Sequence, residues 1–338
     1  MGETSVQSFE MPAHGGNLFA ARQAYPQAPE PWLDLSTGIN PYPYPFANPP
    51  PESFARLPEQ EAIRSLEAAA ARAYRTPMTA ETIAAPGSQA IINWLPHLVP
   101  AKWVGILGFT YCEYAARWAA AGAKVTIARD LAELERQDVV IIVNPNNPDG
   151  RLVAAADLHA LATALAGSGG LLVVDEAFVD FLEPGASAVP GMPEQGMIVL
   201  RSFGKAYGLP GLRLGFAAGP KALAEKLRAA FGPWPVSGVA IAIGSKALLD
   251  RAWLADASMR LMAQGLALDN ILAAAGFSVA GSNALFRLAC HNDAQVWFDH
   301  LARNGILVRR FTAHPDWLRF GIAGSDIDIS RLSRALKK

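Results

Sequence analysis

Short, uninterrupted apolar runs are the strongest constraint on what this chain can fold into. Val139-Val140-Ile141-Ile142-Val143 contains no polar residue, and Leu171-Leu172-Val173-Val174 and Ile198-Val199-Leu200 repeat the pattern. A strand with one wet face alternates apolar and polar residues, so a continuous run of this kind belongs to a strand covered on both faces. Thr82–Ala85, Trp103–Leu107 and Val125–Ile127 read as further strands. Helical patterning fills the gaps, at Glu61 to Tyr74, after Pro86-Gly87-Ser88 through Leu98, at Glu113 to Ala120 and at Asp157 to Ala166. Buried strands alternating with helices predict an α/β fold with a mainly parallel central sheet and helices on both faces. Beyond residue 250 the pattern changes to one long helix over 250–275, strands at Phe277–Val279, Leu285–Leu288 and Leu318–Ile322, and helices at Ala294–Arg303 and Ile327–Leu336. That is a smaller α+β domain. The division expected is an N-terminal arm over 1–50, a large domain over 51–245 and a small domain over 246–338.

In parallel α/β sheets ligands gather beyond the carboxyl ends of the strands. The polar motifs of this chain fall there: Gly87-Ser88-Gln89 after one strand, Asn147 after another, Asp175 after a third, and Ser202 and Lys205 after a fourth. A lysine held among small residues can form a Schiff base with an aldehyde, provided that burial or neighbouring cations make its amine neutral. A lone lysine in a glycine-rich turn is otherwise a solvated charge. A carboxylate at the end of a buried strand, as at Asp175, is costly unless paired; taken alone it reads equally as a helix cap or a structural ion pair. Gly87-Ser88-Gln89 lies where backbone N–H groups and a helix dipole favour an anion, and Ser202 and Arg213 add a hydroxyl and a charge-assisted fork. Asn147-Pro148-Asp149-Gly150 carries a turn signal.

With 338 residues and 51% hydrophobic content the chain can bury a sizeable core, and a net charge of -1 provides no general field for nucleic acid or an anionic membrane. Two cysteines, Cys112 and Cys290, form neither a disulfide framework nor a metal-ligand pattern, as expected in a reducing cytoplasm. Met1 to Glu10 is acidic and polar where a signal peptide needs basic and then apolar residues. No apolar stretch reaches the roughly 20 residues of a membrane span. These features predict a cytoplasmic protein without a metal. Residues 1–50 are rich in proline and glycine and cannot form a regular helix or a central strand. They read either as a leader without fixed structure or as a docked arm, since Trp32-Leu33-Asp34-Leu35-Ser36 is apolar enough to dock.

The run Arg201-Ser202-Phe203-Gly204-Lys205-Ala206-Tyr207-Gly208-Leu209-Pro210-Gly211-Leu212-Arg213, together with Asn144 to Gly150 and Asp175-Glu176-Ala177-Phe178, resembles the fold-type I pyridoxal-phosphate enzymes, the aspartate-aminotransferase-like group. The resemblance covers residues from about 80 to 325. It implies pyridoxal 5'-phosphate attached to Lys205, with Asp175 pairing the pyridine nitrogen so that the ring stays an electron sink. It further implies that Asn147 donates to the ring's phenolic oxygen and that Tyr111 stacks on the ring. Gly87, Ser88, Gln89, Ser202 and Arg213 would hold the phosphate, and Arg319 the substrate's α-carboxylate, with Arg309 in the same substrate site. Three positions depart from the pattern: Phe178 stands where many relatives have tyrosine, Gly204 where they have serine, and Leu57 where aminotransferases have a tyrosine that crosses a dimer interface. The family builds its site at a subunit boundary, so a homodimer is implied.

The N-terminus narrows the resemblance. His14-Gly15-Gly16-Asn17 followed by Asp34-Leu35-Ser36-Thr37-Gly38-Ile39-Asn40-Pro41 is similar to the threonine-phosphate decarboxylases, which supply aminopropanol phosphate for the cobalamin nucleotide loop. Histidinol-phosphate aminotransferases share the core motifs but lack the His-Gly-Gly-Asn element. The implied activity is decarboxylation of L-threonine O-3-phosphate to (R)-1-amino-2-propanol O-phosphate. Adjacent glycines let backbone N–H groups approach an anion closely, and His14, Gly15, Gly16 and Asn17, with Gly38 and Asn40, would grip the substrate. Read without the resemblance, the same element is a flexible turn. Two other readings stand beside this one: a histidinol-phosphate-type aminotransferase, and a non-enzymatic sensor on the same fold, which the joint presence of Lys205, Asp175 and Asn147 disfavours.

Overall fold

The computed structural model describes residues 14–134, 136–183 and 185–337. The first part of the 1–50 arm, including the polar Met1 to Glu10 stretch, therefore lies outside the described residues. Among the described residues, twelve strands form two sheets. In chain order they are β1 (Leu33–Leu35), β2 (Glu81–Ala85), β3 (Trp103–Leu107), β4 (Lys124–Ala128), β5 (Val139–Val143), β6 (Leu171–Asp175), β7 (Met197–Ser202), β8 (Gly215–Gly219), β9 (Ser278–Asn283), β10 (Phe286–Cys290), β11 (Ile306–Phe311) and β12 (His314–Gly321).

The larger sheet has the order β2-β8-β7-β6-β5-β3-β4. It is parallel except at β8, which pairs antiparallel with both β2 and β7. The apolar runs are its centre. Val140, Ile142, Leu172, Val174 and Val199 pack into a core on one face, and Val139, Ile141, Val143, Val173, Ile198 and Leu200 into a core on the other. Neighbouring side chains on a strand point to opposite faces, so a strand inside such a sandwich of helices must be apolar throughout. The α/β sheet covered by helices on both faces is thus the predicted one. The helix Gln60–Tyr74 and the Ser88–Leu98, Glu113–Ala120 and Ala155–Gly167 helices form where the patterning put them.

The smaller sheet has the order β1-β11-β12-β10-β9 and carries its own core, built from Trp32, Leu35, Phe286, Trp297, Ile306, Leu318 and Phe320 among others. Its edge strand β1 comes from the N-terminal segment and pairs parallel with β11, Leu33 opposite Ile306 and Leu35 opposite Val308. From His14 onward the proline-rich segment is therefore docked, and contrary to the expectation it includes a regular helix, Leu18–Ala24, which falls in a stretch free of proline and glycine. After β1 it passes behind the Lys205 turn, where the Asn40 N–H donates to the Lys205 carbonyl at 2.9 Å and the Tyr44 N–H to the Tyr207 carbonyl at 2.8 Å.

Candidate active site

At the end of β2 the chain turns through Gly87 with φ +82, and a Cβ there would come 2.8 Å from Arg213 Nη2. The guanidinium thus lies against a bare Cα, an approach that only glycine permits. The helix Ser88–Leu98 begins at once, with no side chain capping its first turn, and β8 presses on the same corner through Gly215, whose Cβ would stand 2.4 Å from the Ser88 nitrogen. Ser202 ends β7 and Arg213 follows on a left-handed residue with φ 51. Gly87, Ser88, Gln89, Ser202 and Arg213 so converge on one end of a cavity of about 320 Å³ that Tyr111, Asn147, Asp175 and Lys205 also line.

Lys205 sits in the short helix Phe203–Ala206, its Nζ 4.6 Å from the centre of the Phe178 ring. Burial, reinforced by the nearby Arg319 cation, lowers its amine to about 8. Asp175 closes β6. Its Oδ1 accepts the Ala177 N–H at 3.0 Å and its Oδ2 accepts the Tyr114 hydroxyl at 2.9 Å. Burial raises this carboxyl above its ordinary range, while Tyr114, Lys205 and the Ala177 N–H pull it back down. Tyr114 is itself fully buried and pushed well above the usual phenol range, so it serves Asp175 as a donor only. No role was expected for it, although Tyr111 and Tyr114 stand three apart at the start of a helix and therefore share a face. The departure at Gly204 has a physical reason: a Cβ there would come 2.7 Å from Pro210 Cα, so the turn that brings Arg213 back leaves no room for serine.

A second cavity of about 220 Å³ shares Ile39, Tyr111, Asn147 and Lys205 with the first. Arg309 on β11 and Arg319 on β12 are cross-strand partners at its wall. Two guanidiniums side by side repel, and with burial this lowers Arg319 to about 9, while burial lowers Arg309 as well. Arg319 donates through Nη1 to Asn147 Oδ1 and through Nη2 to the Ser36 carbonyl at 2.9 Å, and its buried Nε has no protein partner. The buried Thr110 hydroxyl on the same cavity is also unpartnered. Cations and open donors with no carboxylate among the described lining residues make this an anion site.

The N-terminal element lies along this second cavity. A Cβ on Gly15 would stand 2.3 Å from the Ser36 carbonyl oxygen, and the Gly16 N–H donates to Ser36 Oγ at 2.7 Å. The two glycines thus press the chain onto the Ser36 segment and bring His14 and Gly15 to the cavity wall. Gly38 also lines it, packed so closely on Phe178 that its Cβ would meet the ring at 2.8 Å. Two residues grouped with these lie elsewhere. Asn17 caps the helix Leu18–Ala24, its Oδ1 accepting the Ala20 N–H at 3.0 Å. Asn40 donates from Nδ2 to the Ala206 carbonyl at 2.8 Å and accepts the Tyr42 N–H, so its amide secures the back of the Lys205 turn instead of facing the cavity.

The first cavity fits pyridoxal phosphate. An uncapped helix start with Ser202 and Arg213 suits its phosphate, the buried Asp175 suits a protonated ring nitrogen, and Lys205, with its lowered pKa, suits the aldehyde. Phe178 brings no hydroxyl to the site, so of the two groups expected on the ring oxygen only Asn147 is present.

The family model for aminotransferase class I and II matches residues 32–336, and the chain belongs to that family. Within it, the chain is 42% identical to threonine-phosphate decarboxylase from Sinorhizobium sp over 328 residues, 96% of this chain and 97% of that protein. It is 39% identical to threonine-phosphate decarboxylase from Pseudomonas aeruginosa over 329 residues, 96% of each chain. Among solved structures, histidinol-phosphate aminotransferase from Sinorhizobium meliloti in complex with pyridoxal-5'-phosphate superposes with a TM-score of 0.82 at 21% identity, covering 97% of this chain and 94% of that one. That likeness is one of fold.

Proposed function

We propose that the protein is a pyridoxal-phosphate-dependent decarboxylase that converts L-threonine O-3-phosphate to carbon dioxide and (R)-1-amino-2-propanol O-phosphate, a step that serves cobalamin biosynthesis. The near-full-length similarity to two threonine-phosphate decarboxylases supports this. The observation that carries it is the second cavity, where Arg309, Arg319 and His14 stand beside Lys205 with no acidic residue among the described lining. Such a site suits a substrate bearing both a phosphate and an α-carboxylate. Threonine phosphate carries both groups in one molecule, whereas the aminotransferase reading divides them between histidinol phosphate and 2-oxoglutarate.

The bound cofactor supplies an electron sink for the bond that breaks at the substrate's Cα. Arg319, with its unpartnered Nε, holds the α-carboxylate and is itself held by Asn147 and the Ser36 carbonyl. His14 and the Gly15 backbone take the phosphate, remote binding energy that orients the breaking bond. The carboxylate leaves as carbon dioxide and Lys205 Nζ delivers a proton to Cα in its place. Asp175, oriented by Tyr114, keeps the ring nitrogen's proton in position.

The functional unit is a homodimer in this reading, supported by the exposed Phe54, Leu57 and Trp234, which lie on the two chain segments joined by the Gln60 Nε2 bond to the Pro233 carbonyl. The described residues contain no helix long and apolar enough to cross a membrane, consistent with a cytoplasmic location and a small phosphorylated amino acid, not a lipid or nucleic acid, as ligand. The test is incubation of purified protein with L-threonine phosphate while carbon dioxide is followed. Transfer of an amino group from histidinol phosphate to 2-oxoglutarate without carbon dioxide release would replace this reading with the aminotransferase one.

A further inference from the structure

We propose that Glu113 is a positioning residue that latches His14 of the N-terminal arm at the substrate cavity and ties it to the wall of the cofactor cavity. The proposal rests on reading the second cavity as the substrate site. Glu113 opens the helix Glu113–Ala120 and is only 5% exposed. Its Oε1 accepts from His14 Nε2 at 3.2 Å, across 99 residues of chain. Its Oε2 accepts from Arg117 Nε at 3.0 Å and from Gln89 Nε2 at 3.4 Å. Gln89 in turn accepts the Tyr111 hydroxyl on Oε1 at 2.9 Å. His14 and Tyr111 also meet directly, ring centres 5.8 Å apart.

One buried carboxylate thus joins three elements: the arm, the Ser88–Leu98 helix beside the phosphate end of the first cavity, and Tyr111, which lines both cavities. An exposed ion pair is worth little, but this acceptor is buried, so a partner lost from Oε1 leaves that oxygen desolvated and only Oε2 compensated, by Arg117 and Gln89. The bond to Glu113 uses His14 Nε2, so in the imidazolium form the Nδ1–H is left to donate to an anion in the cavity that His14 lines. Gly15 and Gly16, held at Ser36, set the arm's path along the small-sheet side; Glu113 anchors His14 to the large-sheet side. In this role Glu113 touches neither substrate nor cofactor.

The arm is read directly in the holoenzyme, without substrate, by the rate of tryptic cleavage after Arg22 in the Leu18–Ala24 helix. A charge-assisted hydrogen bond lost at a buried acceptor should raise that rate about ten-fold in Glu113→Gln. His14→Ala should match it, and because the His14 side chain is 44% exposed that variant folds whatever becomes of Glu113→Gln. The double variant should be no faster than either single one, and His14→Gln, which keeps a donor, should restore part of the protection. In kinetics, KM for L-threonine phosphate should rise by the same factor while kcat changes less. Unchanged cleavage in His14→Ala, or additive effects in the double variant, would overturn the latch. If cleavage responds as expected but the unmodified enzyme releases no carbon dioxide from threonine phosphate, the latch stands and the functional reading falls.

Discussion

Lys205 shows how a site is made from a residue's neighbours. An amine lowered to about 8 by burial and by Arg319 is half neutral at a pH where an ordinary lysine is almost wholly protonated. Only the neutral amine attacks an aldehyde, so the rate at which cofactor-free protein takes up pyridoxal phosphate should rise with pH and level off above about 8. Arg319→Met removes a like charge, which must raise the lysine's pKa, so stopped-flow absorbance should place that variant's midpoint at higher pH. For Asp175, loss of the carboxylate charge in Asp175→Asn should lower turnover by about three orders of magnitude, roughly 4 kcal/mol. Phosphate contacts should keep the cofactor bound, which absorbance after gel filtration will report. Lys205 and Asp175 stand out in the sequence by residue type at successive strand ends, and Arg319 through the family resemblance. The roles of Tyr114 and Asn40 were not legible, because a buried tyrosine reads as core and the direction of an amide is decided by a segment 166 residues away.

At the scale of elements, whatever is buried on both sides was readable and whatever is built of small residues was not. β5, β6 and β7 are continuous β-branched and leucine runs; β8 is Gly-Phe-Ala-Ala-Gly, a composition that signals no strand and works because neighbouring backbones come close on either side. β11 hid for another reason, since Arg309 and Arg310 interrupt its apolar pattern: Arg309 faces the cavity and Arg310 lies over the Phe298 ring. The Lys205 turn belongs to the same class of tight approach. Gly204→Ser, although it restores the residue common among relatives, should destabilise this chain by about 1–3 kcal/mol through overpacking on Pro210, seen as a lower Tm of the holoenzyme.

The whole molecule is joined where its two sheets face each other. Phe109, from the loop after β3, packs edge-on against Phe311, His314 and Trp317 of the β11–β12 hairpin, with centroid distances of 6.0, 4.7 and 5.9 Å. The N-terminal segment bridges the same divide, so deleting residues 1–20 should leave the cofactor ligands intact and the protein yellow while decarboxylation of L-threonine phosphate falls at least about ten-fold through lost orientation. Normal turnover in the truncated protein would reduce His14-Gly15-Gly16-Asn17 to a turn. The pairing of β1 with β11 also bears on how the chain is made. Residues 33–35 leave the ribosome well before their partners at 306–308, so the small sheet cannot close until those partners have been made. Domains fold as they are synthesised when their contacts are local. Here the large sheet is free to form first, and the arginines of the anion site arrive on the final strands, so a truncated nascent chain carries the reactive lysine without the pocket that would present a substrate to it.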